Sequence, residues 1–240
     1  MEYKEKALKI IVIKGLLWRF LERIGTQGIQ FIISIVLARL LMPQDFGTIG
    51  LLTVFIAVAG VIVQSGFGVA LVQKKDTTDQ DYSSVFYLSL FFSIILYMVL
   101  FLTAPFVADF YSEPLLVPVL RVMAISLVIG AFASIQNAVL SREMKFRKGF
   151  FVSLGGVVTS GTVGITMAYN GYGVWSLVFS QLTGQIASTL ILWLTVRWRP
   201  RLLFSFDSLN RLFRFGFKLL FSGLLDIVFN NLYPLIIGKL

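Results

Sequence analysis

Long apolar stretches, with lysine and arginine left behind in every second gap between them, constrain this chain more than any other feature. Seven stretches read as helices on hydropathy and periodicity: 15–41, 47–72, 85–107, 117–140, 150–169, 174–196 and 215–240. A helix that crosses roughly 30 Å of hydrocarbon needs about 20 apolar residues, because each residue advances about 1.5 Å. Each stretch is about long enough. Only 14% of the 240 residues are charged, where a soluble domain carries about 25%, and 57% are hydrophobic. A bilayer accounts for that surplus and a soluble core does not.

The gaps carry the orientation. Lys4, Lys6, Lys9 and Lys14 precede the first helix. Lys74 and Lys75 lie in the second gap, and Arg142, Lys145, Arg147 and Lys148 in the fourth. Arg197, Arg199, Arg201, Arg211 and Arg214 lie in the sixth. The alternate gaps at 42–46, 108–116 and 170–173 hold no lysine or arginine. Cytoplasmic loops retain positive charge, so the pattern predicts a cytoplasmic N-terminus with the first, third and fifth gaps outside. The net charge of +9 is then topological, and nucleic acid is not expected as a partner. The interleaved Arg197–Arg214 run with Trp198, Phe204 and Phe206 is expected on the inner leaflet, where anionic lipids attract it.

Breakers mark the gaps: Pro43, Asp45 and Gly47 in the first, Asp76 to Asp81 in the second, Asp109, Glu113 and Pro114 in the third, Asn170, Gly171 and Gly173 in the fifth, and Pro200 in the sixth. The N-terminus lacks a clean apolar run followed by small residues, so residues 1–14 read as a retained basic amphipathic lead-in and not as a cleaved signal. Cysteine and histidine are both absent. That removes most zinc sites, thiol nucleophiles and histidine acid–base chemistry. With no phosphate-cradling glycine loop and no paired carboxylates, the sequence predicts no enzyme, no cofactor and no metal. Gly66-Phe-Gly68 is too short for nucleotide binding.

Polar residues inside the spans are the candidate functional residues, since an intramembrane charge costs about 2.5–3.5 kcal/mol on insertion scales. On the first helix Arg23, Gln27, Gln30 and Ser34 share one face, extended by Arg19. They read as the lining of a water-filled cavity that offers cationic donors to an anionic substrate. The alternative is an opening turn whose Arg19, Glu22 and Arg23 reach back to the inner headgroups. On the seventh helix Asp226 and Asn230 lie one turn apart. They read as a cation or proton site or as partners of a first-helix arginine, the alternative being a buried ion pair or the cap of a break near Pro234. Gln181, Gln185 and Ser188 on the sixth helix, Gln64 and Ser65 on the second, and Gln136 and Asn137 on the fourth are expected to bond between helices. Ser153, Gly156, Ser160 and Gly164 form a small-residue stripe expected to pack against a neighbouring helix. Arg39 and Arg121 are expected at the outer headgroups. The segment Ile35-Val-Leu-Ala-Arg-Leu40 aligns with Leu235-Ile-Ile-Gly-Lys-Leu240 at an offset of 200 residues, which matches Gln30 to Asn230 and Thr26 to Asp226. Parallel repeats of this kind occur in transporters built from two similar halves, so the seventh helix reads as the opening of a second half, and the chain as part of a longer protein.

Five stretches carry a family resemblance: Glu22-Arg-Ile-Gly-Thr-Gln-Gly-Ile-Gln30, Leu37-Ala-Arg-Leu-Leu-Met-Pro-Gln-Asp-Phe-Gly47, Gly66-Phe-Gly-Val-Ala-Leu-Val-Gln73, Ser141-Arg-Glu-Met-Lys-Phe146 and Gly171-Tyr-Gly-Val-Trp-Ser176. Together they resemble the N-terminal half of polysaccharide flippases, the repeat-unit and lipopolysaccharide exporters of the multidrug/oligosaccharidyl-lipid/polysaccharide exporter superfamily. The resemblance implies an all-α, polytopic integral membrane protein. A six-helix lobe at 15–196 is followed by a basic cytoplasmic linker at 197–214 and by the first helix of a second lobe at 215–240. It implies that the first and seventh helices face each other across a central cavity, with Arg19, Arg23, Gln27, Gln30, Asp226 and Asn230 as its substrate-binding residues. It implies a substrate: an undecaprenyl-diphosphate-linked oligosaccharide moved from the inner to the outer leaflet of the bacterial cytoplasmic membrane for surface polysaccharide biosynthesis. It also implies polymerase or assembly proteins as partners. Three rivals stand beside this reading: a cation-coupled drug exporter of the same superfamily, a membrane-embedded glycosyl- or acyltransferase, and a non-transporting scaffold of a polysaccharide assembly complex.

Overall fold

The computed structural model describes residues 2–64, 71, 77–203, 205, 221–223, 225 and 226, without the side chains of residues 2–14, Leu16 and Gln64. Among them there is no strand. Seven helices follow one another: α1 (Glu2–Leu40), α2 (Pro43–Gln64), α3 (Asp79–Tyr111), α4 (Leu116–Met123), α5 (Ile125–Arg142), α6 (Phe146–Tyr169) and α7 (Val174–Thr195). They supply six segments long and apolar enough to cross a membrane, since α4 and α5 form one span and α1 contributes Leu17–Leu40. The protein is a polytopic helical membrane protein. Helix α1 begins at Glu2, and its apolar membrane-length segment begins at Leu17.

Local chemistry sets the helix ends. Pro43 opens α2, where a missing N–H costs nothing, and the Met42 N–H donates to Asp45 Oδ2 at 3.0 Å. Thr78 caps α3 reciprocally with Asp81: Asp81 N–H donates to Thr78 Oγ1 at 3.3 Å and Thr78 N–H donates to Asp81 Oδ2 at 2.9 Å. The α6–α7 turn requires glycine. Gly171 and Gly173 have φ of +77° and +53°, which L side chains rarely adopt.

The fourth span departs from the single helix expected at 117–140. It breaks at Ala124, where Leu127 N–H reaches the Ala124 carbonyl in a tighter turn at 3.1 Å. Arg121, expected at the outer headgroups, makes a contact within the protein: its Nε donates to the Phe101 carbonyl of α3 at 3.2 Å and its guanidinium lies 4.2 Å from the Phe101 ring centre. Pro105 explains the arrangement. It sits inside α3, has no N–H for the carbonyl four residues earlier, and that carbonyl belongs to Phe101.

The core forms where the apolar faces of α2 through α5 and α7 meet, around Leu52, Ile56, Leu116, Leu120, Met123 and Val178. A second cluster joins α3, α5, α6 and α7 through Phe86, Ile135, Val152 and Leu192. Helix α1 stands at the side and packs mainly on α6, with Ile33 seated against Gly161 and Trp18 against Phe150. The small-residue stripe does what spacing suggests. A Cβ on Gly184 of α7 would lie 2.7 Å from Ser160 Cβ and 3.0 Å from the Gly156 carbonyl of α6, so the two backbones touch.

The basic gaps gather at one end of the bundle. Arg142 Nη1 donates to the Leu71 carbonyl and the Tyr82 hydroxyl, each at 3.3 Å, Arg201 pairs with Asp79 at 3.2 Å, and Lys148 Nζ reaches the Thr195 carbonyl at 3.1 Å. The first and fifth gaps, which hold no lysine or arginine, meet at the other end, where Asp45 lies against Gly173. Beyond α7 the chain folds back over the basic end. Arg201 N–H donates to Ser83 Oγ at 3.1 Å and Ser205 N–H to Ser84 Oγ at 3.0 Å. Trp198, expected on the lipid surface, packs inside against Tyr82 and Phe86 at ring separations of 5.9 and 6.2 Å. Phe204 and Phe206 lie outside the described residues.

Candidate functional site

Two periodicities build the site. On α1, Thr26, Gln30 and Ser34 recur at four-residue spacing and so share a face. On α6 and α7, the Ser160 and Ser180 hydroxyls bond each other at 3.0 Å across the helix pair, and with Ser153 and Ser188 they border the side that faces α1. Where these faces meet, a cleft of about 640 Å³ opens, lined also by Gln181 and edged by Phe46 and Ile49. Gln30 is thirteen residues into the Leu17–Leu40 span, so the cleft lies at mid-membrane depth.

A smaller cavity of about 110 Å³ lies toward the basic end and is lined by Arg19, Glu22, Asn137, Ser141 and Ser153. Glu22 Oε1 accepts a hydrogen bond from Ser153 Oγ at 2.8 Å, and the Arg19 guanidinium sits 4.9 Å from the Phe146 ring centre. A third cavity of about 390 Å³ lies behind α6, with Ser89, Asn137, Gln185 and Thr189 on its wall. Ser153 lines all three. Ser153 is thus a shared wall of three polar cavities, with Arg19 toward the basic end and Gln30 at mid-depth.

The sequence-derived site residues divide. Gln30 lines the cleft and Arg19 the small cavity at its basic end. Arg23 and Gln27 are exposed on α1 and line none of these three cavities. Asp226 is exposed and forms no ion pair with Arg19 or Arg23 among the described residues; nearby, Gly223 approaches Val61 of α2. Asn230 lies outside the described residues. Of the interhelical amides, Gln185 bonds as expected, its Nε2 donating to the Ser126 carbonyl at 2.9 Å. Fully buried Gln136 instead holds the segment after α7, donating to the Trp198 carbonyl at 3.1 Å. Gln181 faces the cleft. Ser153 and Ser160, expected to pack, also line it. Their composition alone carried no signal of that second role, because serine suits a tight helix contact and a wet wall equally well.

Fold and cleft together define a polytopic helical membrane protein with a polar cleft beside an apolar core. The chain belongs to the polysaccharide biosynthesis protein family, whose model matches residues 36–240. It is 26% identical over 211 residues to the succinoglycan biosynthesis transport protein ExoT of Rhizobium meliloti, covering 88% of this chain and 43% of that one. It is 21% identical over 240 residues to the lipopolysaccharide biosynthesis protein WzxC of Escherichia coli, covering 98% and 48%. The chain thus spans somewhat under half the length of these relatives. A solved transporter of the MOP superfamily from Pyrococcus furiosus has a similar fold, with a TM-score of 0.57 at 18% identity over 88% of this chain and 52% of that one.

Proposed function

We propose that this chain is the first lobe of a flippase that moves an undecaprenyl-diphosphate-linked oligosaccharide from the inner to the outer leaflet. Residues 15–196 form the lobe, 197–214 the linker and 215–240 the first helix of a second lobe. The basic end faces the cytoplasm of a bacterial inner membrane, because lysine and arginine are retained there. One observation carries the reading: polar cavities that share the Ser153 wall in an otherwise apolar bundle, with Arg19 at the basic end and an uncharged cleft at mid-depth. A sugar head cannot cross hydrocarbon without polar surroundings. The lipid tail stays in the bilayer beside the lobe.

In this reading Arg19, with Arg23 on the exposed face of α1, receives the diphosphate, whose oxygens suit the two-pronged guanidinium. Gln30 serves in the cleft, and Gln27, Asp226 and Asn230 are assigned to the side of the substrate path shared with the second lobe. Rocking of two lobes about the central site exchanges its access. With the cytoplasm negative, outward movement of an anion is favourable by about 2.3 kcal/mol per charge per 100 mV. The test is Arg19→Ala with Arg23→Ala in the full-length protein. Surface polysaccharide is expected to fall at least tenfold while the lipid-linked precursor accumulates in the inner leaflet. Unchanged export with no accumulation refutes the reading.

A further inference from the structure

The cavity of about 390 Å³ behind α6 is polar and uncharged: seven of its thirteen lining residues carry a hydroxyl or a carboxamide. Ser89 on its wall is 2% exposed and makes no hydrogen bond among the described residues. A polar space of this size takes up water wherever a path to water exists. Toward the basic end it rests on the apolar side chains of Val85, Ile135 and Leu192, which belong to the cluster around Tyr82 and Phe86. Trp198 packs against that cluster, 5.9 Å from the Tyr82 ring and 6.2 Å from the Phe86 ring. Tyr82 precedes Ser89 by seven residues, roughly 10 Å along α3 at about 1.5 Å per residue. The chain after α7 therefore crosses the bundle on the basic side of the cavity. Its attachments are specific. Ser83 and Ser84 are fully buried and accept the Arg201 and Ser205 N–H groups at 3.1 and 3.0 Å. Gln136, also fully buried, donates to the Trp198 carbonyl at 3.1 Å. A buried polar group without a partner is costly, so lifting the segment requires water to enter and serve all three. Arg199 fixes the exit from α7 by donating to the Trp193 and Val196 carbonyls, each at 2.6 Å, which lie at the end of the helix where donors run out. The Arg201–Asp79 ion pair at 3.2 Å ties the segment to the start of α3.

We infer that residues 196–203 with Ser205 form a fixed floor, which closes the basic end of the lobe beneath this cavity and bars aqueous solutes from entering there, with Trp198 as the sealing residue. From the reading above the inference takes only the placement of the basic end in the cytoplasm, and it is independent of the substrate. A polar cavity inside a membrane protein keeps the barrier intact only while one of its ends is shut. Without the floor, cytoplasmic water would reach Ser89 and Gln185, and the apolar thickness that ions must cross would shrink.

The sequence contains no cysteine, which makes thiol labelling a clean probe. Ser89→Cys places a thiol on the cavity wall of the full-length protein, any cysteine outside this sequence being replaced. A cationic, membrane-impermeant methanethiosulfonate is added to inside-out vesicles, at the cytoplasmic face. With the floor intact, labelling is expected to be slow. Trp198→Ala is expected to speed it at least tenfold, whereas Trp198→Phe, which keeps a ring against Tyr82 and Phe86, speeds it less than twofold. Ser83→Val with Ser84→Val removes the two acceptors, leaves Trp198 in place and is expected to speed labelling at least threefold; this variant decides the matter if Trp198→Ala is not recovered folded. Labelling as fast with the intact floor as in Trp198→Ala, or no acceleration in either variant, overturns the inference. Acceleration only in right-side-out vesicles leaves the floor standing and removes the cytoplasmic placement. Acceleration alongside unimpaired export by the Arg19/Arg23 variant leaves the floor standing and removes the flippase reading.

Discussion

Arg121 and Pro105 make a coupled pair, and the coupling is measurable. Pro105 deprives the Phe101 carbonyl of its helical donor, and Arg121 supplies another at 3.2 Å, with its charge 4.2 Å from the Phe101 ring centre. A hydrogen bond from a charged donor contributes about 1.5–3 kcal/mol, and a desolvated cation–π contact about 0.5–2 kcal/mol. These terms overlap, so Arg121→Ala is expected to destabilise the protein by about 2–4 kcal/mol, most of it from the orphaned carbonyl. Pro105→Ala returns an N–H to that carbonyl. In the Pro105→Ala background, Arg121→Ala then removes mainly the ring contact and costs about 1 kcal/mol. The double-mutant cycle is expected to give a coupling of about 1–3 kcal/mol. Reversible unfolding of the four proteins in mixed detergent micelles reads all four free energies. Additivity within about 0.5 kcal/mol refutes the reasoning, because Arg121 would then be serving something other than the carbonyl that Pro105 exposes.

Two further outcomes follow from packing and topology. Gly184→Ala drives a methyl into Ser160 and the Gly156 carbonyl and is expected to cost about 1–3 kcal/mol, read as a lowered Tm. Gly50→Ala, with nothing within 4 Å of the added carbon, is expected to be neutral or mildly stabilising; equal effects of the two substitutions contradict the close α6–α7 contact. Reporter fusions within 142–148 and 170–173 are expected on opposite sides of the membrane, with the first inside, and a shared side contradicts the threading.

The spans were legible because twenty apolar residues between charged gaps have few alternatives. The gathering of basic gaps at one end follows from an alternation that any reader can count. The break at Ala124 was not legible, since neither it nor its immediate neighbours is glycine or proline. The partner of Arg121 was hidden for a related reason: its position near a helix end suggested a headgroup, and only the fold brings it to the Phe101 carbonyl that Pro105 leaves without a donor. Trp198 was misread as an interfacial anchor because composition cannot distinguish an aromatic at the lipid surface from one tucked under its own chain. On α1 the shared face of Gln30 and Ser34 was readable from spacing, but the opposite wall was not. Gln181 and Gln185 lie one turn apart on α7 and look alike in sequence, yet one closes on the Ser126 carbonyl and the other opens to the cleft. Periodicity fixes which residues share a face and leaves open what that face meets.

The central claim, that a protein with this polar first lobe carries a lipid-linked sugar across the bilayer, is tested most directly by reconstitution. The full-length protein is placed in vesicles containing a fluorescent undecaprenyl-diphosphate-linked oligosaccharide, and arrival of the sugar at the opposite leaflet is followed with an impermeant quencher. Transfer is expected at least tenfold above protein-free vesicles, with loss of that excess in the Arg19→Ala, Arg23→Ala variant. Transfer no faster than in protein-free vesicles contradicts the account.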